Sequence, residues 1–204
     1  MGRIYYIFGK SASGKDSIFK ELISDGELGL LPIIIHTTRP KRSGDEEGRE
    51  YFFNNEEELA ALRKAGKIIE ERVYHTVFGD WYYFTADDGR LDLEKHDYLG
   101  IGTLVSYEKI RDYFGPEAVI PLYITVESYT RLLRALNREK AQEKPSYTEL
   151  CRRFLADEED FSPERLAAAG ITDSYSNDSG LDACVKEVRD TILAGKEHHG
   201  QEGI

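Results

Sequence analysis

The chain of 204 residues holds only two cysteines, one methionine and one tryptophan. Cys151 and Cys184 lie far apart, with none of the close spacings that bind metal. That excludes a disulfide scaffold and a zinc module and points to a reducing compartment, with both thiols expected buried or half-buried. Long apolar runs are missing too. The longest, residues 28–35, is interrupted by Gly29 and Pro32, whereas a membrane helix needs about 20 apolar residues. Residues 1–8 carry no charged-then-apolar leader. Positive charge is scarce: 27 Lys and Arg against 38 Asp and Glu give a net charge of −11. A non-specific nucleic-acid or anionic-membrane binder needs the opposite balance. The expectation is a cytoplasmic protein that touches neither. Its hydrophobic share of 40% and its length suit one large domain with a real core.

Against that background one stretch stands out: Gly9-Lys10-Ser11-Ala12-Ser13-Gly14-Lys15-Asp16-Ser17. It follows an apolar strand pattern, Ile4-Tyr5-Tyr6-Ile7-Phe8, and precedes Ile18, Phe19, Leu22 and Ile23 at helical spacing. Strand, glycine loop, lysine and helix are the context that makes a G-x-x-x-x-G-K match a phosphate-binding loop. Glycines let the loop curl its N–H groups inward, and the helix start adds partial positive charge. Lys15 would reach the β- and γ-phosphates of ATP. Where a Ser or Thr hydroxyl normally binds Mg²⁺ stands Asp16, with Ser17 one place later. Two readings of Asp16 stay open: it caps the helix, or its carboxylate takes over the metal.

Residues 32–36 read as one short buried strand. Then comes Thr37-Thr38-Arg39-Pro40-Lys41-Arg42-Ser43-Gly44-Asp45-Glu46-Glu47-Gly48-Arg49-Glu50-Tyr51-Phe52-Phe53, a loop by its Pro40, Gly44 and Gly48. Arg39 and Arg42 could fork around one phosphate, although a solvated basic loop has the same composition. A phosphate loop followed by a strand and this long pattern resembles the guanylate kinase family, and the resemblance runs to the C-terminal helix. It implies an α/β fold: a three-layer P-loop core with a parallel sheet, a small acceptor-binding insertion and a helical lid. The implied bounds are core 1–35, 89–134 and 151–195, acceptor subdomain 36–88, lid 135–150, and a polar tail, 196–204, that contains His198 and His199.

Further expectations come with the resemblance. ATP and Mg²⁺ would be used to phosphorylate GMP or dGMP. The loop residues Gly9, Ser11, Ala12, Ser13, Gly14, Lys15, Asp16 and Ser17 would hold ATP phosphates. Thr37, Arg39, Arg42 and Tyr51 would serve the acceptor, the last three at its phosphate. Glu70 would accept from the guanine edge, with Glu71 as alternative. Tyr83 would touch the acceptor phosphate, with Tyr82 as alternative, and Thr85 the base. On a helix over 128–140, Leu132, Leu133 and Leu136 share one side, while Arg131, Arg134 and Arg138 share a face. The family resemblance picks Arg138 there, and Arg153 on the next helix, as lid arginines beside Lys15 in catalysis. Asn177 falls near the adenine.

The segment Asp97-Tyr98-Leu99-Gly100-Ile101-Gly102 departs from the family, placing glycine at both positions of its L-D-I-D carboxylates. Either the glycines permit close backbone approach, or metal and base contacts are made elsewhere, with Asp16 the metal candidate. Two other functions stay open: a kinase for another (deoxy)nucleoside monophosphate, and an inactive binding module. The oligomeric state, monomer or homodimer, is left open as well.

Overall fold

The structure, a computed structural model, describes residues 1–76 and 78–201, with side chains described to Lys196. The central strand is β1 (Ile4–Phe8), every residue of it buried. β1 pairs in parallel with β7 (Asp97–Gly102) on one side and β8 (Val119–Thr125) on the other. The short strands β2 (Leu30–Pro32) and β9 (Tyr175–Ser176) complete a five-stranded parallel sheet of order β2-β7-β1-β8-β9.

Side-chain alternation along β1 divides the core. Tyr5 and Ile7 pack with α1 (Lys15–Ser24) and α7 (Leu181–Gln201) through Ile18, Leu22, Val188 and Ile192. Ile4, Tyr6 and Phe8 meet α3 (Leu104–Phe114) through Tyr107 and Ile110. A central strand covered on both faces reads as a continuous apolar run, as this one does. Helices on both faces make three layers, and the carboxyl ends of β1, β7 and β8 form one rim, where open α/β sheets bind ligands.

The second sheet, of order β4-β3-β6-β5, is drawn from 36–86. It comprises β3 (His36–Thr37), β4 (Phe52–Phe53), β5 (Ile68–Thr76) and β6 (Gly79–Ala86), with α2 (Glu56–Lys64) packed on it through Leu59. Asn55 starts α2 with a reciprocal capping box to Glu58.

Several expectations change. Residues 32–36 are not one strand: Pro32 ends β2 in the parallel sheet, His36 begins β3 in the other, and 33–35 cross between them. A β-branched run can serve either sheet, so the pattern could not locate the crossing. A short helix, α6 (Pro163–Ala168), follows α5 (Tyr147–Asp160) unannounced. α7 runs through Gly195 to Gln201, into the stretch expected as polar tail. The His198 and His199 side chains lie outside the described residues. Cys184 is buried but Cys151 is exposed on α5.

Candidate active site

The loop after β1 is held from below. Gly9 (φ 159°) and Gly14 (φ 92°) flank Ala12, whose φ of 64° is left-handed. Left-handed residues in a turn are the conformation from which anion-binding nests are built. A Cβ at Gly9 would overlap the Ile124 carbonyl, and one at Gly14 the Asn177 amide. Asn177, buried, donates Nδ2–H to the Ser13 carbonyl at 2.8 Å, while its backbone carbonyl accepts from Arg134 at 2.9 Å. The structure thus sets Asn177 under the loop. Lys15 opens α1, with Nζ 3.6 Å from the Asp16 carboxylate. Gly14, not Asp16, is the N-cap, and no side chain caps the helix. That disposes of Asp16 as a cap: it is 77% exposed beside Lys15. Ser17 is exposed as well.

Opposite the loop, the second sheet brings Glu70, Tyr51 and Tyr83 to two adjoining cavities, whose linings do not include Thr37, Arg39, Arg42 or Thr85. Lys15, Glu70, Arg72, Gly102 and Ser106 line one cleft of about 530 Å³. Glu70 is buried, accepts the Thr85 hydroxyl at 3.0 Å, and lies 3.2 Å from Arg72 Nε. Burial pushes its carboxyl above the usual range, against the opposing pull of Arg72 and Thr85. Glu71 also reaches the cleft but is tied to Arg63 on α2. Tyr83 meets Tyr51 edge-on at 5.5 Å, and both line an adjoining cavity of about 440 Å³ with Arg72 and Trp81. Tyr82 faces the other way, under the Arg63 guanidinium at 4.7 Å. Tyr83, and not Tyr82, thus lines this chain of cavities, while both glutamates line the cleft, Glu70 buried and Glu71 held by Arg63.

Thr37 is fully buried; it donates to the Tyr82 carbonyl at 2.9 Å and accepts the Arg39 N–H at 3.1 Å. Arg39 lies over Tyr51 at 5.3 Å, pinned to Asp45 at 2.9 Å. Asp45 accepts the Arg42 backbone N–H at 2.7 Å as well. That bond first, and then the Arg39 guanidinium, hold its carboxyl below the usual range. Arg42 itself is exposed, its guanidinium over Trp81 at 5.9 Å.

The two glycines of β7 have a structural cause. Gly100 pairs with Tyr6 across β1–β7, and the Tyr6 ring fills the space where a Cβ at 100 would sit. Its hydroxyl reaches Gly102, where a Cβ would overlap both it and Ser106 Oγ. Burial pushes the Tyr6 phenol up to about 12, so it stays neutral. What approaches these glycines closely is the Tyr6 side chain, with Ser106 Oγ at Gly102, rather than another backbone.

Beyond the loop, Ser11, Arg138 and Arg153 border one narrow gap between α4 (Ser128–Lys140) and α5. Arg138 is exposed, and no hydrogen bond or ion pair holds it among the described residues; Arg153 lies 3.7 Å from Glu139 and from Glu149. On α4, Leu133 and Leu136 are exposed, and the buried positions are Arg131, Ala135 and Glu139. Arg131 pairs with Asp157 at 3.1 Å and with Glu158, while Asp157 also accepts the Ser11 N–H at 2.8 Å. Lys10 bonds Glu158 at 2.6 Å. Carboxylates distant in sequence bury the arginine, so helical spacing alone could not mark it. Arg72, Tyr6 and Asp157 carried no motif signal either.

Among the described residues no cluster of three or more His, Cys, Asp or Glu could hold a metal. Mg²⁺ in phosphotransfer sites needs less, one or two carboxylates plus substrate phosphates and water. The exposed Asp16 carboxylate beside Lys15 fits that requirement.

Taken with the rim position of the loop, this is a P-loop α/β protein with a phosphate cradle facing a second, polar pocket. The sequence model of the guanylate kinase family matches residues 1–150. A guanylate kinase of Porphyromonas gingivalis is 25% identical over 94% of this chain and 97% of its own length. One from Legionella pneumophila (strain Paris) is 32% identical over 68% of this chain and 65% of its own. The crystal structure of guanylate kinase from Anaplasma phagocytophilum superposes with a TM-score of 0.58 at 19% identity, over 95% of this chain and 85% of that one, which speaks for the fold. The chain belongs to the guanylate kinase family.

Proposed function

We infer that the protein is a nucleoside monophosphate kinase that transfers the γ-phosphoryl group of ATP to GMP or dGMP. One observation carries this: the phosphate-loop lysine and the buried Glu70 line a single cleft, with Tyr51 and Tyr83 in the cavity beyond. The intact cradle speaks against an inactive binding module, and the named relatives are all guanylate kinases.

In this reading Gly9 and residues 11–17 hold the ATP phosphates, and Lys15 bridges β- and γ-oxygens. Arg39, Arg42, Tyr51 and Tyr83 hold the acceptor phosphate, on the scaffold that Thr37 and Asp45 fix. Glu70, steadied by Thr85, accepts from the guanine donors. Arg138 and Arg153 neutralise charge on the transferring group. Such transfer requires positioning and charge neutralisation more than proton transfer. Asp16 would hold Mg²⁺, which when bound neutralises phosphate charge. Asn177 braces the loop next to the adenine end. The 135–150 segment acts as the lid that excludes water from ATP. We retain the division into core, acceptor subdomain and lid given above, the second sheet of 36–86 being its support. We place the enzyme in the cytoplasm, acting on small nucleotides; no described helix is long and apolar enough to cross a membrane.

The test is ADP release with ATP, Mg²⁺ and GMP, dGMP, AMP, CMP, UMP or dTMP in turn. Turnover confined to GMP and dGMP supports the reading. Turnover on another base alone, or none on any, overturns it.

A further inference from the structure

Arg72 stands between the two cavities, lining both the cleft of Lys15 and Glu70 and the aromatic cavity of Tyr51, Trp81 and Tyr83. It lies two residues after Glu70 in β5, so both side chains leave the same face of the strand. Its Nε is 3.2 Å from Glu70 Oε2, and its Nη2 is 3.4 Å from Oε1. The Nε is buried, yet its N–H is directed at no acceptor. A guanidinium with donors to spare therefore sits beside a carboxylate whose Oε1 is already oriented by Thr85.

An ionised carboxylate can only accept, so Glu70 matches only donors. The Watson–Crick edge of guanine presents two donors, N2–H₂ and N1–H, and then an acceptor, O6. Matching the whole edge requires a donor next to the carboxylate. On the opposite wall Gly100 and Gly102 bring no carboxylate and leave the neutral Tyr6 and Ser106 hydroxyls, with Lys109 further along α3. Of the cations that line the cleft, Arg72 is the one paired with Glu70.

We propose that Arg72 is a base-reading residue, its guanidinium donating to O6 of the acceptor guanine while Glu70 accepts from N1–H and N2–H₂. This rests on the GMP-kinase reading and adds a contact to it. Adenine meets the pair in the wrong order, an amino donor against the guanidinium and a bare N1 against the carboxylate. Leaving buried polar groups mismatched is how a polar pocket rejects an analogue strongly.

The experiment compares calorimetric affinities of GMP, guanosine and 6-thio-GMP for the wild type, Arg72→Ala and Arg72→Lys, with circular dichroism and thermal unfolding to check folding. 6-thio-GMP keeps both donors and replaces O6 with a poor acceptor. The wild type is expected to prefer GMP over 6-thio-GMP by about tenfold, the scale of one lost polar contact. In Arg72→Ala that preference collapses to near unity, and GMP and guanosine weaken by the same factor. Arg72→Lys, which keeps a donor, retains part of the preference and serves if the alanine variant does not fold. An undiminished preference in both variants overturns the proposal. So does a loss for GMP without a loss for guanosine, which would make Arg72 a phosphate contact. A wild type that binds no guanine nucleotide overturns the function reading itself, before any variant is compared.

Discussion

The Tyr6 hydroxyl and a Cβ at Gly102 would occupy the same space. Strand pairing sets the relationship: Tyr6 lies opposite Gly100 on β7, and its ring extends along the sheet to Gly102. Gly102→Ala should therefore lose about 1–3 kcal/mol, the usual range for overpacking a filled interior. Tyr6→Phe removes the clashing atom at a cost of about 1 kcal/mol for its hydrogen bond. The double variant should be more stable than the sum of the two losses predicts, with relief limited by Ser106 Oγ. Urea unfolding of all four proteins measures this, and strict additivity would refute the shared space.

Asp45 prepares the acceptor loop by accepting the Arg42 N–H and pairing with Arg39. Asp45→Ala should release both arginines from their shared anchor without touching the ATP side. The expected result is a GMP KM raised about tenfold, within what a charge-assisted hydrogen bond supplies, with the ATP KM unchanged. Equal changes in both constants in steady-state kinetics would mean a general loosening instead.

How much of this could be read in advance follows from how local each feature is. The phosphate loop is specified by glycines a few residues apart, and β1 and α4 fall where the pattern puts them. The crossing at 33–35 was not legible, because three isoleucines suit either sheet. Spacing places Arg131 on one face with Arg134 and Arg138, and only Asp157 and Glu158, from another helix, set it apart as a buried ion-paired residue. Arg72 acquires meaning only when β5 pairs with β6 and the cleft closes over it. Likewise, Gly100 and Gly102 looked like lost carboxylates, and their cause lies on a strand some 95 residues earlier, in Tyr6.

Asp16 provides a metal test. Its carboxylate is exposed beside Lys15, at the place where phosphate loops carry a hydroxyl. Asp16→Ala should raise the Mg²⁺ concentration for half-maximal rate about tenfold or more, as for loss of a ligand to a weakly held ion. Asp16→Ser, which restores a hydroxyl ligand, should recover most of that loss. Mg²⁺ titrations at saturating nucleotide decide the matter. Unchanged Mg²⁺ dependence in the alanine variant would remove Asp16 from the metal.

Glu70 links the site to pH. Burial raises its pKa in the folded protein, so protonation sets in at a higher pH than for a free glutamate, whose pKa is about 4.3. Only the carboxylate can accept from both guanine donors, so acceptor affinity should fall as pH drops through the raised value. The KM for GMP should therefore climb on acidification while the ATP KM stays flat, placing the acid limb above the ordinary glutamate range. The same shift has a stability consequence of fixed sign. A carboxyl whose folded pKa lies above its unfolded one binds more protons when folded, so its contribution favours the fold at low pH and fades as pH rises through the folded value. Glu70→Gln cannot titrate and should show a high GMP KM with no acid limb. A KM for GMP that is flat with pH in the wild type would separate Glu70 from base recognition.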